Sequence, residues 1–107
     1  MDLGNECNLM AHFESEDYKV SFDLPDNPKA RQVLAYDSAV IEYRDEPALV
    51  ALWECARTVV SNWVCEYIPS IDTPLDDLEG LGAAQSIEWA GTQVSLWRVS
   101  LNAVPKN

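Results

Sequence analysis

Histidine and cysteine set the chemical limits of this sequence. It holds a single histidine, His12, and three cysteines, Cys7, Cys55 and Cys65. One histidine does not build a compact His-rich metal centre within one chain, and the cysteines lack the close pairing of zinc fingers. Cys7 with His12 would supply two ligands and draw the others from distant residues. His12 could serve a cysteine nucleophile as its base, but Cys55 and Cys65 fall in an apolar segment. There, a small buried hydrophobe is the commoner role of cysteine. The nucleophile elbow, the phosphate-binding glycine loop, the dinucleotide fingerprint and the HExxH zinc motif are all missing. The sequence therefore reads as a non-enzymatic protein with no cofactor and no metal.

Carboxylates are the other reactive groups in quantity. Asp72, Asp76, Asp77 and Glu79 crowd one short stretch. Paired carboxylates can hydrolyse glycosides or hold a divalent cation, yet no glycine sits where an EF-hand loop turns sharply. These four read as helix-end and solvated acids. Acidic and basic residues number 18 and 7 in 107, a net charge of −11. Residues 1–28 carry seven acids and one base, and residues 59–83 carry five acids and no base. Such a balance opposes direct binding to nucleic acid or to anionic membrane, both of which need clustered Lys and Arg. Two uses of the acidic blocks stand beside plain solubility. They steer a basic protein partner, or they imitate a phosphate backbone and inhibit a basic DNA- or RNA-binding protein.

The elements that position these groups follow from periodicity. Tyr18, Val20, Phe22 and Leu24 alternate with Lys19, Ser21 and Asp23, the pattern of a half-buried strand, and residues 9–13 pair with it as a hairpin. Asn27 and Pro28 read as a cap and first turn of a helix over 28–43, carrying Val33, Tyr36, Val40 and Tyr43. A second helix starts near Asp45 or Glu46 and runs to Tyr67, with Leu49, Trp53, Ala56, Val59, Trp63 and Tyr67 on its apolar face. On that helix Cys55 and Cys65 stand ~15 Å apart, too far for a disulfide. Thr73, Pro74 and Asp76 suggest a capped short helix over 74–79 ending at Gly80.

The last segment admits two readings. Ile87, Ala90, Val94, Trp97, Leu101 and Val104 keep helical spacing, and a helix is preferred. The alternative is a hairpin of 85–89 and 93–100 turning at Ala90-Gly91. Trp89 lies off the helical stripe and becomes the candidate partner-binding anchor, together with Asp72, Asp76, Asp77 and Glu79. The fold class is α+β and mostly helical, an N-terminal β-hairpin packed on three main helices plus a short connecting helix. One domain spans 1–107, with a flexible acidic arm at 1–8. No apolar run reaches membrane-span length and the start lacks a secretory pattern, so the expected location is cytoplasmic, with free thiols.

The chain resembles the small tail assembly chaperones of long-tailed bacteriophages. The resemblance rests on Tyr-Lys-Val-Ser-Phe-Asp-Leu at 18–24 leading into Ala-Arg-Gln-Val-Leu-Ala-Tyr-Asp-Ser-Ala-Val at 30–40. A Trp-bearing helix at 48–67 follows, then Ile-Glu-Trp-Ala-Gly at 87–91 and a close at Val-Pro-Lys-Asn. It implies a protein that escorts tape-measure or tube components during tail assembly in the host cytoplasm, without covalent chemistry.

Overall fold

A computed structural model describes residues 10–102. The acidic arm at 1–8, Cys7 and Val104 lie outside the described residues. The fold is mixed α+β and mostly helical, as the periodicity predicts. Strand β1 (Met10–Ser15) pairs antiparallel with β2 (Val20–Pro25), with Phe13 opposite Phe22. Val20, Phe22 and Leu24 are buried, whereas Tyr18 falls in the turn, beside Lys19 at φ +58°. The hairpin is thus the expected one, with its turn two residues later than the alternation suggests.

The second helix is shorter than its stripe predicts. It spans Ala48–Ala56 (α2), and residues Ser61–Cys65 form a strand, β3, on the other edge of β2. The hydroxyl of Thr58 donates to Cys55 O at 2.7 Å, closing the helix end. Thr58-Val59-Val60 is a β-branched run that favours extended backbone, and β2 offers it an unpaired edge. Asn62, at φ +53°, lies in the stretch where the pairing slips register between Ser21 and Asp23. Trp53 and Trp63 still meet, but across α2 and β3 rather than along one stripe, with ring centroids 5.4 Å apart. Cys55 and Cys65 consequently occupy different elements, and both are free thiols.

Helix α1 spans Ala30–Glu42, two residues later than Asn27-Pro28 suggests. Its start is held by the Lys29 N–H donating to Gln32 Oε1 at 2.8 Å, so the chain uses a glutamine in the first turn instead of an asparagine cap. Glu54 and Arg57 form an i,i+3 ion pair at the end of α2. The connection after β3 holds only a 3-10 turn, Leu75–Asp77, with no side-chain cap from Thr73. Thr73 instead offers its carbonyl to the Trp53 indole N–H at 3.1 Å. Gly80, at φ +92°, opens the next helix rather than closing a short one.

That helix, α3 (Gly80–Leu101), settles the last segment as helical. Ile87, Ala90, Val94 and Trp97 are buried as the 3-4 spacing predicts. It runs alongside β2 and is pinned near both ends of that strand. The Ser86 hydroxyl donates to Tyr18 O at 2.9 Å and the Trp97 indole N–H to Pro25 O at 2.8 Å.

Gly91, unfavourable in a helix by propensity, is where α2 crosses. A Cβ there would stand 2.7 Å from Leu52 Cβ. Alanine adds about 0.8–1 kcal/mol of helix propensity, but overpacking costs about 1–3 kcal/mol. Gly91→Ala is expected to lower stability by up to about 2 kcal/mol in urea denaturation, the opposite sign from propensity alone.

Candidate interaction surface

With Ile87, Ala90, Gly91, Val94 and Trp97 turned inward, α3 presents Trp89, Thr92, Leu96 and Val99 on one outer stripe, at i, i+3, i+7 and i+10. Leu96 is 58% exposed and Val99 63%. Such adjacent aliphatics on a helix surface mark a contact site more often than scattered single ones do. Trp89, expected as an exposed anchor, is half-buried. One side of its indole meets Phe22 edge-on, with centroids 5.8 Å apart. The ring also lines a shallow hollow of about 230 Å³ with Tyr18, Gln85, Glu88 and Thr92. The same side chain therefore packs the core and floors a surface depression at the head of the stripe.

The four acids singled out by sequence lie on the connection between β3 and α3 and are all exposed. Asp76 and Asp77 belong to the 3-10 turn, Glu79 precedes α3, and the Asp72 N–H donates to Ser70 Oγ at 3.0 Å. Among the described residues none of the four has an ion-pair partner, and no three potential metal ligands converge. Asp76 borders a hollow with Val50, Glu54, Arg57, Pro74 and Leu75. Nothing hydrogen-bonds these acids to the Trp89 stripe, so sequence proximity does not become a shared site.

A different polar cluster, not anticipated from the sequence, crosses the outer face of the sheet. His12 Nδ1 lies 2.7 Å from Asp23 Oδ1, and His12 Nε2 lies 3.2 Å from Glu14 Oε1. Asn62 of β3 donates to the other Asp23 oxygen at 2.7 Å. One side chain from each strand is thus joined through Asp23. Both ring nitrogens face carboxylates, an arrangement that only the imidazolium satisfies by donating twice. The hydrogen bonds to Asp23 and then Glu14 raise the His12 pKa above its ordinary value. Asn62 and then His12 hold the Asp23 carboxyl below the usual range.

This is a charged cross-link rather than a base with a free lone pair. Its signal was partly present. His12 and Glu14 sit two apart on one strand face, but pairing 9–13 with 18–24 does not place Asp23 opposite His12; the observed turn, two residues later, does. Asn62 was hidden by the helical reading of 61–65. Burial, and then the Glu54 carboxylate, push the Cys55 thiol up, which keeps it protonated and unreactive. The Asp37–Arg98 pair joins α1 to α3 with two contacts of 2.9 Å, and Arg98 holds the Asp37 carboxyl below its usual range.

Comparison with known family models, curated proteins and solved structures finds no match to this chain.

The cross-link makes pH dependence predictable in sign. A histidine whose folded pKa is raised stabilises below its unfolded pKa, and that contribution is lost as pH rises through the folded value. Asp23 contributes above its unfolded pKa and loses that contribution as pH falls through its depressed value. The stability difference between the protein and His12→Gln is therefore expected to be larger near pH 6 than near pH 8.5. With one histidine in the chain, a single imidazole NMR titration reads the site directly. It should give a pKa above about 6.5 that falls in Asp23→Asn. A titration at or below that value would show the cross-link is not formed in solution.

Proposed function

We propose that the chain is a non-enzymatic protein-interaction factor that binds a structural protein through the outer stripe of α3. The observation that carries this reading is the exposed pair Leu96 and Val99, continuous along one helix face with the half-buried Trp89 and its hollow. Covering these two aliphatic side chains removes their exposed apolar area from water at roughly 25 cal/mol per Å², a contribution that works together with the rest of an interface against the entropy lost on docking. An aromatic beside them supplies a rigid surface of the kind that dominates binding energy in many interfaces. The resemblance to phage tail assembly chaperones fits the same reading, with a tape-measure or tube protein as the partner.

Affinity capture with the tagged chain, from its native host or with co-expressed tail proteins, tests it. Leu96→Asp with Val99→Asp is expected to reduce partner retention at least tenfold with the circular dichroism spectrum unchanged, and Trp89→Ala, which also loosens the packing on Phe22, to reduce it less. Equal retention by the wild type and the double variant would remove the stripe from the interface.

The exposed and unpaired state of Asp72, Asp76, Asp77 and Glu79 favours a second reading, an acidic mimic of nucleic acid that occupies a basic cleft. It predicts affinity that falls steeply between 50 and 500 mM salt, on the order of tenfold or more, and that is lost on neutralising the four acids to Asn and Gln. Binding insensitive to salt rules against it.

A further inference from the structure

We propose that a second copy of this chain docks on the outward face of α1, helix against antiparallel helix, about a two-fold axis near Asp37 and Ser38. The inference rests on reading the chain as an interaction protein and adds a partner for a face that the α3 stripe does not use. Tyr36 and Ala39 turn into the core, with Tyr43 just beyond the helix end packed against it. Leu34 and Ile41, two turns apart, point the other way and are 66% and 64% exposed. Ser38 lies exposed between them, and its small side chain allows two helix backbones to approach closely.

Charge selects both the occupant and its direction. Arg31 and Glu42 stand on the same flank of this stripe, one toward each end of α1. Among the described residues neither has an ion-pair partner. In an antiparallel pair each flank meets the same flank of the other helix. Leu34 then covers the partner's Ile41, while Arg31 faces the partner's Glu42, and the two-fold repeats both contacts. In a parallel pair each flank would meet the opposite flank, leaving Arg31 and Glu42 of the two copies on opposite sides of the seam and unpaired. Asp37, beside the axis, is already held by Arg98 of the same chain through two contacts of 2.9 Å. In a chain of net charge −11, two copies repel over most approaches. The α1 helix carries one base and two acids, one of the acids being this compensated Asp37. It is a face on which the repulsion is small and the ends are self-complementary.

Sedimentation velocity of the full chain over a concentration series tests the assignment. A dimer that grows with concentration is expected. Leu34→Gln with Ile41→Gln, both at exposed positions, is expected to weaken it at least tenfold without changing the thermal midpoint at dilutions where both proteins are monomeric. Arg31→Glu and Glu42→Arg are each expected to weaken it, and the two together to restore it. A chain that stays monomeric throughout, a dimer indifferent to the Gln substitutions, or a charge swap that fails to restore association overturns the proposal. A monomer that still captures a foreign partner through Leu96 and Val99 overturns self-association alone. A dimer that obeys the charge swap supports self-association even where no foreign partner is found, an outcome that would count only against the assembly-factor reading.

Discussion

Phe22 is the point on which the molecule closes. Its ring is fully buried and meets Phe13 of β1 at 5.5 Å, Trp63 of β3 at 5.9 Å and Trp89 of α3 at 5.8 Å. Every neighbour of the central strand thus contacts the same side chain. Truncating a phenylalanine in a packed core costs about 3–5 kcal/mol, a large share of the marginal stability of a small domain. A two-stranded hairpin is marginal alone; here β3 adds a third strand and α3 covers one face of the sheet, while the other remains in water. The two hydrogen bonds that α3 makes to Tyr18 O and Pro25 O keep the helix aligned over Phe22. They also give partners to the carbonyls of Tyr18, in the turn before β2, and of Pro25, at its end.

This closure decides what remains outside. Because the inner face of α3 is fully occupied by β2 and α2, its opposite face has no covering element among the described residues, and Leu96 and Val99 are left in solvent. Trp89 sits at the boundary between the two faces and serves both. The sheet divides in the same way. Its inner side is aromatic and aliphatic, while its outer side gathers His12, Glu14, Asp23 and Asn62 into a charged hydrogen-bonded cluster. That cluster joins all three strands on the face that no helix covers.

Local periodicity made most of this legible. The alternation at 18–24 located β2, and the 3-4 spacing from Ile87 to Leu101 located α3 despite Gly91. The Gly91 conflict has a tertiary cause, the approach of Leu52, which no local pattern carries. The reading failed at 57–67, because Ala56, Val59, Val60, Trp63 and Tyr67 fit a helical face as well as they fit a turn and strand. What separates the two is the free edge of β2, a contact distant in sequence, together with the β-branched run at 58–60. A helix over 61–65 would carry Asn62 away from the outer sheet face, where the strand places it beside Asp23. Trp63 kept its place in the core for a different reason, since either geometry turns it to the apolar side, although only the strand brings it against Trp53.

Charge partitioning completes the physical picture. The acids concentrate in the hairpin, its flanking turns and the connection after β3, while α3 holds one acid and one base and α1 only a small excess of acid. Net charge of this size says little about the fold, but it biases how other molecules approach. Repulsion of anions and of other copies is strongest toward the sheet and the connection. Exposed aliphatic side chains stand in pairs on the outer faces of α1 and α3, two helices joined by the Asp37–Arg98 pair. Electrostatics and hydrophobic exposure therefore point to the same two helices, because the segments that carry the acid are largely not those that carry the exposed aliphatic stripes.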